Sequence, residues 1–179
     1  ELALDLGAIA KGHGVDEVGR VLAAAGHENW FVEIGGEVLV RGRNPDGVPW
    51  RIGIQYPTPN PMEDRLQGIL HLTCGAVATS GDYRNYIREN GVVYSHLLDP
   101  RSGRAVLSQT AGVTVLAESC MAADGLATAL FVMGPEEGLA WIERQPGAEA
   151  LFLLRGEDGA MREKFSSGFA AATRYDRLP

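Results

Sequence analysis

Asp124 and Thr128 stand four residues apart in the stretch Met121-Ala122-Ala123-Asp124-Gly125-Leu126-Ala127-Thr128-Ala129-Leu130. The segment is rich in small residues and predicts a helix running to about Met133, after an apolar strand from Val113 to Leu116. On a helix, positions four apart lie one above the other, so the carboxylate and the hydroxyl share a face. Together they are oxygen ligands for a hard cation such as Mg²⁺. The pair also has a plainer reading. An acid in a first turn faces the positive end of the helix dipole. A threonine inside a helix hydrogen-bonds a carbonyl one turn back. One carboxylate alone makes a weak cation site, so the pair by itself favours the plainer reading.

Three other stretches carry polar groups suited to chemistry. His96 lies near the end of the apolar run Val92 to Leu98, directly before the turn Asp99-Pro100-Arg101-Ser102-Gly103. Its ordinary pKa lies close to neutrality, which suits a general base, but a histidine simply hydrogen-bonded in a sheet fits as well. Ser80-Gly81-Asp82 closes a strand. It is either a turn by composition or a polar strand end offering a hydroxyl, an N–H and a carboxylate to a ligand. Asp5 ends the short run Leu2 to Leu6 and could cap the turn that follows or hold a ligand. Lys11 follows between glycines and could meet a phosphate, although a lone lysine is more often solvated. Gly7, Gly12 and Gly14 permit close backbone approach ahead of a helix start, where free N–H groups favour an anion. The spacing is neither GxGxxG nor GxxxxGK[ST], so neither nucleotide motif is present.

The elements that must position these groups alternate between sheet and helix signals. Leu2 to Leu6 predicts a strand, and Val15, Val18, Val21, Leu22 and Ala25 recur at helical spacing up to Gly26. Trp30 to Ile34 and Glu37 to Val40 predict strands around Gly35-Gly36, a pair that marks a bulge, a turn or a close approach. Trp50 to Tyr56 alternates as a half-buried strand should. Strands follow at 66–72 and 75–79, and Asn90-Gly91 predicts a hairpin between strands at 83–87 and 92–98. Pro135 opens a helix to about Gln145, with Glu136 and Glu137 suited to its N-terminus. Ala150 to Leu154 and Met161 to Phe165 form a terminal hairpin. The tail to Pro179 carries no recognisable chemistry. Strands outnumber helices and are largely hairpin-linked, which predicts an α+β fold with mixed, largely antiparallel sheets and helices packed on them.

Composition narrows the function. The 179 residues fit one domain with a real core, and 45% hydrophobic with 22% charged residues is ordinary for a globular protein. A formal net charge of -7 argues against non-specific nucleic-acid binding, which needs basic patches. No apolar run reaches a membrane-spanning length. Cys74 and Cys120 have no CxxC and no Cys/His cluster, so zinc is not expected; free thiols are favoured over a disulfide at this size.

Five ordered blocks together resemble the ApbE family, the flavin transferases that move FMN from FAD onto proteins. Asp5-Leu6-Gly7-Ala8-Ile9-Ala10-Lys11-Gly12, followed by Val15-Asp16, is similar to the family's DLGGIAKG stretch. Ile34-Gly35-Gly36-Glu37 is similar to its glycine-pair strand, and Thr79-Ser80-Gly81-Asp82-Tyr83 to TSGDY. His96-Leu97-Leu98-Asp99-Pro100-Arg101-Ser102-Gly103 is similar to HIIDPxTG, and Ala123 to Leu130 to ADALATAL. Local departures are His13 in place of an aromatic, Ser102 for threonine, Ala105 near a usual proline, and Gly125 for alanine in the last block. None removes a ligand the family would use.

The resemblance implies an ApbE-like, T-fold-like architecture. It also implies an N-terminal portion of comparable size before Asp5 that helps form the flavin-ring pocket, so the chain is expected to be a C-terminal portion. It implies Mg²⁺ held by Asp124, Thr128 and the Ala8 carbonyl, and FAD lined by Asp5, Lys11, Ser80, Gly81, Asp82 and His96. His96 is implied as the base that deprotonates a threonine or serine hydroxyl of a protein acceptor, with FMN transferred and AMP released. The acceptors implied are flavoprotein subunits of membrane redox complexes. The place implied is the periplasmic side of the inner membrane, with membrane contact only through a lipid anchor outside this chain. Two further activities fit the same groups: an FAD pyrophosphatase releasing FMN and AMP, and a non-catalytic FAD-binding or storage module.

Overall fold

The computed structural model describes residues 3–58, 63, 65–82, 86–89, 92–95, 97–106 and 109–179, with 86–89 and 92–95 by backbone alone. The elements begin with α1 (Ala10–Ala24), β1 (Trp30–Ile34), β2 (Glu37–Arg41), β3 (Trp50–Gln55), β4 (Leu66–Leu72) and β5 (Cys74–Gly81). Next come β6 (Tyr86–Glu89), β7 (Val92–Ser95), β8 (Leu98–Asp99), β9 (Arg104–Ala105) and β10 (Thr110–Ala117). The chain ends with α2 (Cys120–Met133), α3 (Pro135–Ile142), β11 (Glu149–Arg155), β12 (Met161–Phe165), α4 (Phe169–Ala172) and β13 (Arg174–Arg177).

Six strands form the central sheet in the order β1-β2-β5-β10-β11-β12, each neighbouring pair antiparallel. A smaller antiparallel sheet has the order β13-β4-β3. The pairs β6–β7 and β8–β9 stand apart as two-stranded ribbons. This is the mixed α+β architecture, largely antiparallel, that the hairpin-rich pattern predicts.

Period-two alternation sorts the two faces of the central sheet. Ala76, Ala78, Val113, Val115 and Phe152 turn toward Val15 of α1 and Ala123, Ala127 and Leu130 of α2. Val77, Leu116, Leu151 and Leu153 turn the other way, toward Ile52, Ile54, Leu70 and Phe169. The central sheet is therefore a middle layer between the helices and the smaller sheet. Both faces are apolar along β10, where only the last residue escapes full burial. That explains why its sequence reads as a continuous apolar run rather than an alternating one.

Four expectations shift. The described part of the first run, 3–6, forms no strand, and Leu4 and Leu6 are exposed. It has no sheet neighbour there, and a strand without a partner has nowhere to place its N–H and C=O groups. Second, α1 starts at Ala10, so Gly12 and Gly14 are helical rather than part of a turn. Gly12 is needed for packing: a Cβ there would sit 2.4 Å from the Cys120 carbonyl oxygen. The backbones of α1 and α2 meet at that point. Third, α3 stops at Ile142, three residues short of Gln145. Fourth, the tail forms β13, whose strand Arg174-Tyr175-Asp176-Arg177 is too polar to announce itself. It is recruited by pairing with β4.

The β6–β7 register sets Glu89 opposite Val92, but the hairpin turn at 90–91 and Tyr83 lie outside the described residues. Both cysteines are free, Cys74 exposed and Cys120 buried. No helix among the described residues is long and apolar enough to cross a membrane.

Candidate active site

The seam between α1 and α2 is made by two carboxylates exchanged between the helices. Asp16, one turn after Gly12, accepts hydrogen bonds from the Cys120 N–H at 2.7 Å and the Met121 N–H at 2.9 Å. It thus caps the first turn of α2 from a neighbouring helix, where free donors and the helix dipole both favour a negative charge. Ser119 caps the same helix from within, accepting from the Ala122 N–H. In return, Asp124 of α2 accepts the Gly12 N–H at 3.0 Å through Oδ2. Asp124 is only 4% exposed, so its orientation is fixed before any ligand arrives. Burial and the nearby carboxylates of Asp16, Glu37 and Asp124 push the Cys120 thiol at this seam up to about 12, so it is inert.

Asp124 and Thr128 open onto one cleft of about 750 Å³. Asp5 and Ala8 line it from the chain entering α1, Lys11 from the first turn of that helix, and Ser80 and Gly81 from the end of β5. The Ala8 carbonyl oxygen lies 4.0 Å from where a Cβ on Gly125 would sit, next to Asp124 in the chain. Thr128 and Ser80 share a hydrogen bond of 3.0 Å between their hydroxyls. β5 alternation turns Ser80 to the same face as Ala76 and Ala78, the face that α2 covers, and so creates that contact. Asp5 accepts the Gly7 N–H at 2.7 Å, which closes the turn leading to Ala8.

A carboxylate, a hydroxyl and a main-chain carbonyl on one cleft form an all-oxygen donor set, as Mg²⁺ prefers. The Asp124 Oδ1 atom is left over from the Gly12 bond, and a Thr128 hydroxyl donating to Ser80 still offers its lone pairs. Among the described residues no group of three or more His, Cys, Asp or Glu side chains is placed to hold a metal ion.

One of the residues picked from the sequence is placed differently. Asp82 does not line the cleft. Its carboxylate is held bidentate by Arg155 of β11, at 2.6 and 2.7 Å, which ties the end of β5 to β11 across β10 in the same sheet. An acid engaged by a guanidinium fork is a structural anchor, not a free ligand group. His96 lies outside the described residues; its neighbours Leu97 and Leu98 line the cleft.

Three residues that matter were not singled out. Asp16 and Arg155 act through contacts across 104 and 73 residues of sequence, which local spacing does not reveal. Glu37 is the third. It follows the Gly35-Gly36 turn and is 2% exposed, yet it lines the cleft and pairs with the Lys11 ammonium. Burial pushes the Glu37 carboxyl above the ordinary carboxylate range; Lys11 offsets part of that, and Asp124 adds to it. The signal available in the sequence was an acid at the first position of a strand, directly after two glycines.

The model of the ApbE family matches residues 1–152. The FAD:protein FMN transferase of Vibrio cholerae is 48% identical over 169 residues, which cover 94% of this chain and 49% of that protein. The Escherichia coli K12 protein of the same description is 32% identical over 169 residues, covering 94% and 47%. Among solved structures, the flavin transferase ApbE from Vibrio cholerae superposes with a TM-score of 0.83 at 47% identity, over 96% of this chain and 53% of that one. The ApbE protein of Thermotoga maritima gives 0.80 at 35% identity, over 96% and 53%. The chain thus spans about half the length of the curated relatives it matches. A family match over residues 1–152, close relatives and superposition over nearly the whole chain agree with the five sequence blocks: the chain belongs to the ApbE family.

Proposed function

We propose that this chain supplies the metal and pyrophosphate side of an FAD:protein FMN transferase. The reaction moves FMN from FAD onto a threonine or serine hydroxyl of an acceptor protein and releases AMP. The observation that carries the reading is the convergence of Asp124, Thr128, Ala8 and Lys11 on one cleft large enough for a dinucleotide pyrophosphate. Asp124, Thr128 and the Ala8 carbonyl would hold Mg²⁺, which would supply positive charge against the charge that develops on the phosphate oxygens. Lys11 meets a phosphate with its ammonium. Ser80 fixes the Thr128 hydroxyl, and the Gly12 N–H fixes Asp124. His96 takes the proton of the acceptor hydroxyl as its oxygen attacks phosphorus. The oxygen–phosphorus bond to AMP breaks as the new one forms, and no protein nucleophile is required.

Flavoprotein subunits of membrane redox complexes are the proposed acceptors, and the periplasmic side of the inner membrane, with a lipid anchor outside this chain, is the proposed place. Family membership is the ground for proposing both. The decisive experiment incubates the complete protein with FAD, Mg²⁺ and such a subunit, and reads the acceptor's intact mass. A covalent FMN adduct that disappears with EDTA is expected. AMP released without acceptor would instead make the protein an FAD pyrophosphatase, and FAD retained unchanged would make it a binding module. His96→Ala is expected to slow transfer by about 10²–10⁴-fold, the usual range for a lost general base. A wild-type rate in that variant would remove the assignment.

A further inference from the structure

Glu37 is more deeply buried than any role in the strand requires. Its side chain is 2% exposed, while that of its partner Lys11 is 47% exposed and reaches into the cleft. One carboxylate oxygen takes the Lys11 ammonium; the other, Oε2, has no hydrogen-bond partner among the described residues. A buried carboxylate oxygen left unpaired costs about 1–3 kcal/mol or more, so an arrangement that keeps it needs a reason. The preceding turn is shaped around the same lysine. Gly35 and Gly36 have φ values of 63° and 101°, in the left-handed region. A Cβ on Gly35 would come 3.4 Å from the Lys11 Cδ and 3.6 Å from Glu37 Oε2. Any other residue at that place would be strained in its backbone, and its Cβ would lie in contact with the lysine stem.

We propose that the Gly35-Gly36-Glu37 turn is a holder for Lys11, with Glu37 as a positioning residue that fixes the ammonium where the dinucleotide pyrophosphate binds. The turn gives the lysine stem a channel past the backbone. The carboxylate at its end takes one of the three ammonium donors. The remaining two point into the cleft, and a phosphate oxygen meets a cation already oriented instead of a free four-carbon chain. Holding a flexible lysine in advance removes ordering entropy from the binding step. Glu37 lines the cleft but is far less exposed than Lys11, so its influence on the ligand passes chiefly through the lysine. The inference rests on the proposed function, which places the pyrophosphate in this cleft.

The test uses the complete protein with Mg²⁺ and two separate readouts: FAD affinity from flavin fluorescence without acceptor, and KM with kcat for transfer. Glu37→Gln keeps the shape and removes the charge. It is expected to weaken FAD binding and raise KM about tenfold, the scale of one charge-assisted hydrogen bond, with kcat changed less than about threefold. Lys11→Met is expected to lose at least as much. The double variant should be no worse than Lys11→Met alone, because Glu37 acts through the lysine. Glu37→Asp, which keeps the charge one methylene short, should recover part of the loss; it carries the same comparison in the Lys11→Met background should Glu37→Gln not fold. Unchanged FAD affinity in Glu37→Gln, or a double variant whose losses multiply, overturns the proposal. A wild-type protein that binds FAD without transferring FMN would defeat the functional reading and leave this comparison of affinities standing.

Discussion

Two glutamates are withdrawn from water on opposite faces of the central sheet, and they are treated differently. Glu163 of β12, with its side chain 8% exposed, faces the smaller sheet. It accepts hydrogen bonds from Gln67 of β4 at 2.6 Å and from the Tyr175 hydroxyl of β13 at 2.7 Å, with Arg177 3.7 Å away. Burial, then the Glu163 bond, push the Tyr175 phenol well above its ordinary value. Gly68 is bare so that the Tyr175 ring can lie on it: a Cβ there would be 2.3 Å from the ring. Glu37, on the helix face, has a single cationic partner and one unpaired oxygen, close to a second buried carboxylate, Asp124. A buried acid surrounded by donors ties sheets together. A buried acid short of donors, lining a cleft, belongs to a site that a ligand completes.

The contrast predicts that stability and activity separate by face. Asp124→Asn should show the largest effect. Asparagine still accepts the Gly12 N–H but loses the charge, so transfer should fall by on the order of 10²–10³-fold or more, the scale of removing a group that stabilises developing charge. The melting temperature should stay within about 4 °C of the parent, the shift expected from about 1 kcal/mol in a chain this size. A large loss of stability with activity intact would invert the assignment of the two faces. Gly12→Ala tests the seam. Its methyl would meet rigid backbone of α2, so stability should drop by about 1–3 kcal/mol in a denaturant melt, and FMN transfer should fall with it as Asp124 is displaced. Tyr175→Phe belongs to the other face. It should cost about 1–2 kcal/mol by leaving Glu163 short of a donor, while kcat and KM stay at parent values. A change in KM there would break the separation. Gly125→Ala should have the smallest effect. Its Cβ would sit 3.1 Å from the Ile9 Cγ2, a mild crowding that the gain of about 1 kcal/mol in helix propensity offsets. Both melting temperature and turnover should stay near the parent.

Legibility differed by kind of residue. The strand at Trp50–Gln55 was readable because alternation is a local signal set by the pleat. The helix carrying Asp124 and Thr128 was readable because four-residue spacing puts both on one face. Their interpretation was not, since a capping acid and a metal ligand have the same local signature; the structure adds that Ala8 and Lys11 line the same cleft. The glycines of the opening stretch misled, because a glycine needed for helix packing and one needed for a turn have the same side chain. Asp82 misled because its partner Arg155 is 73 residues away.

The sequence by itself determined the α+β class, most of the strands and the family, because periodicity and ordered blocks are written along the chain. Only the tertiary structure decided that Asp16 caps α2, that Arg155 takes Asp82 out of the cleft, that the tail closes the smaller sheet and that Glu37 holds Lys11. Each of these depends on a charge or a backbone edge finding its partner across a long stretch of chain, and such pairing is fixed by how the layers stack rather than by any local pattern of residues.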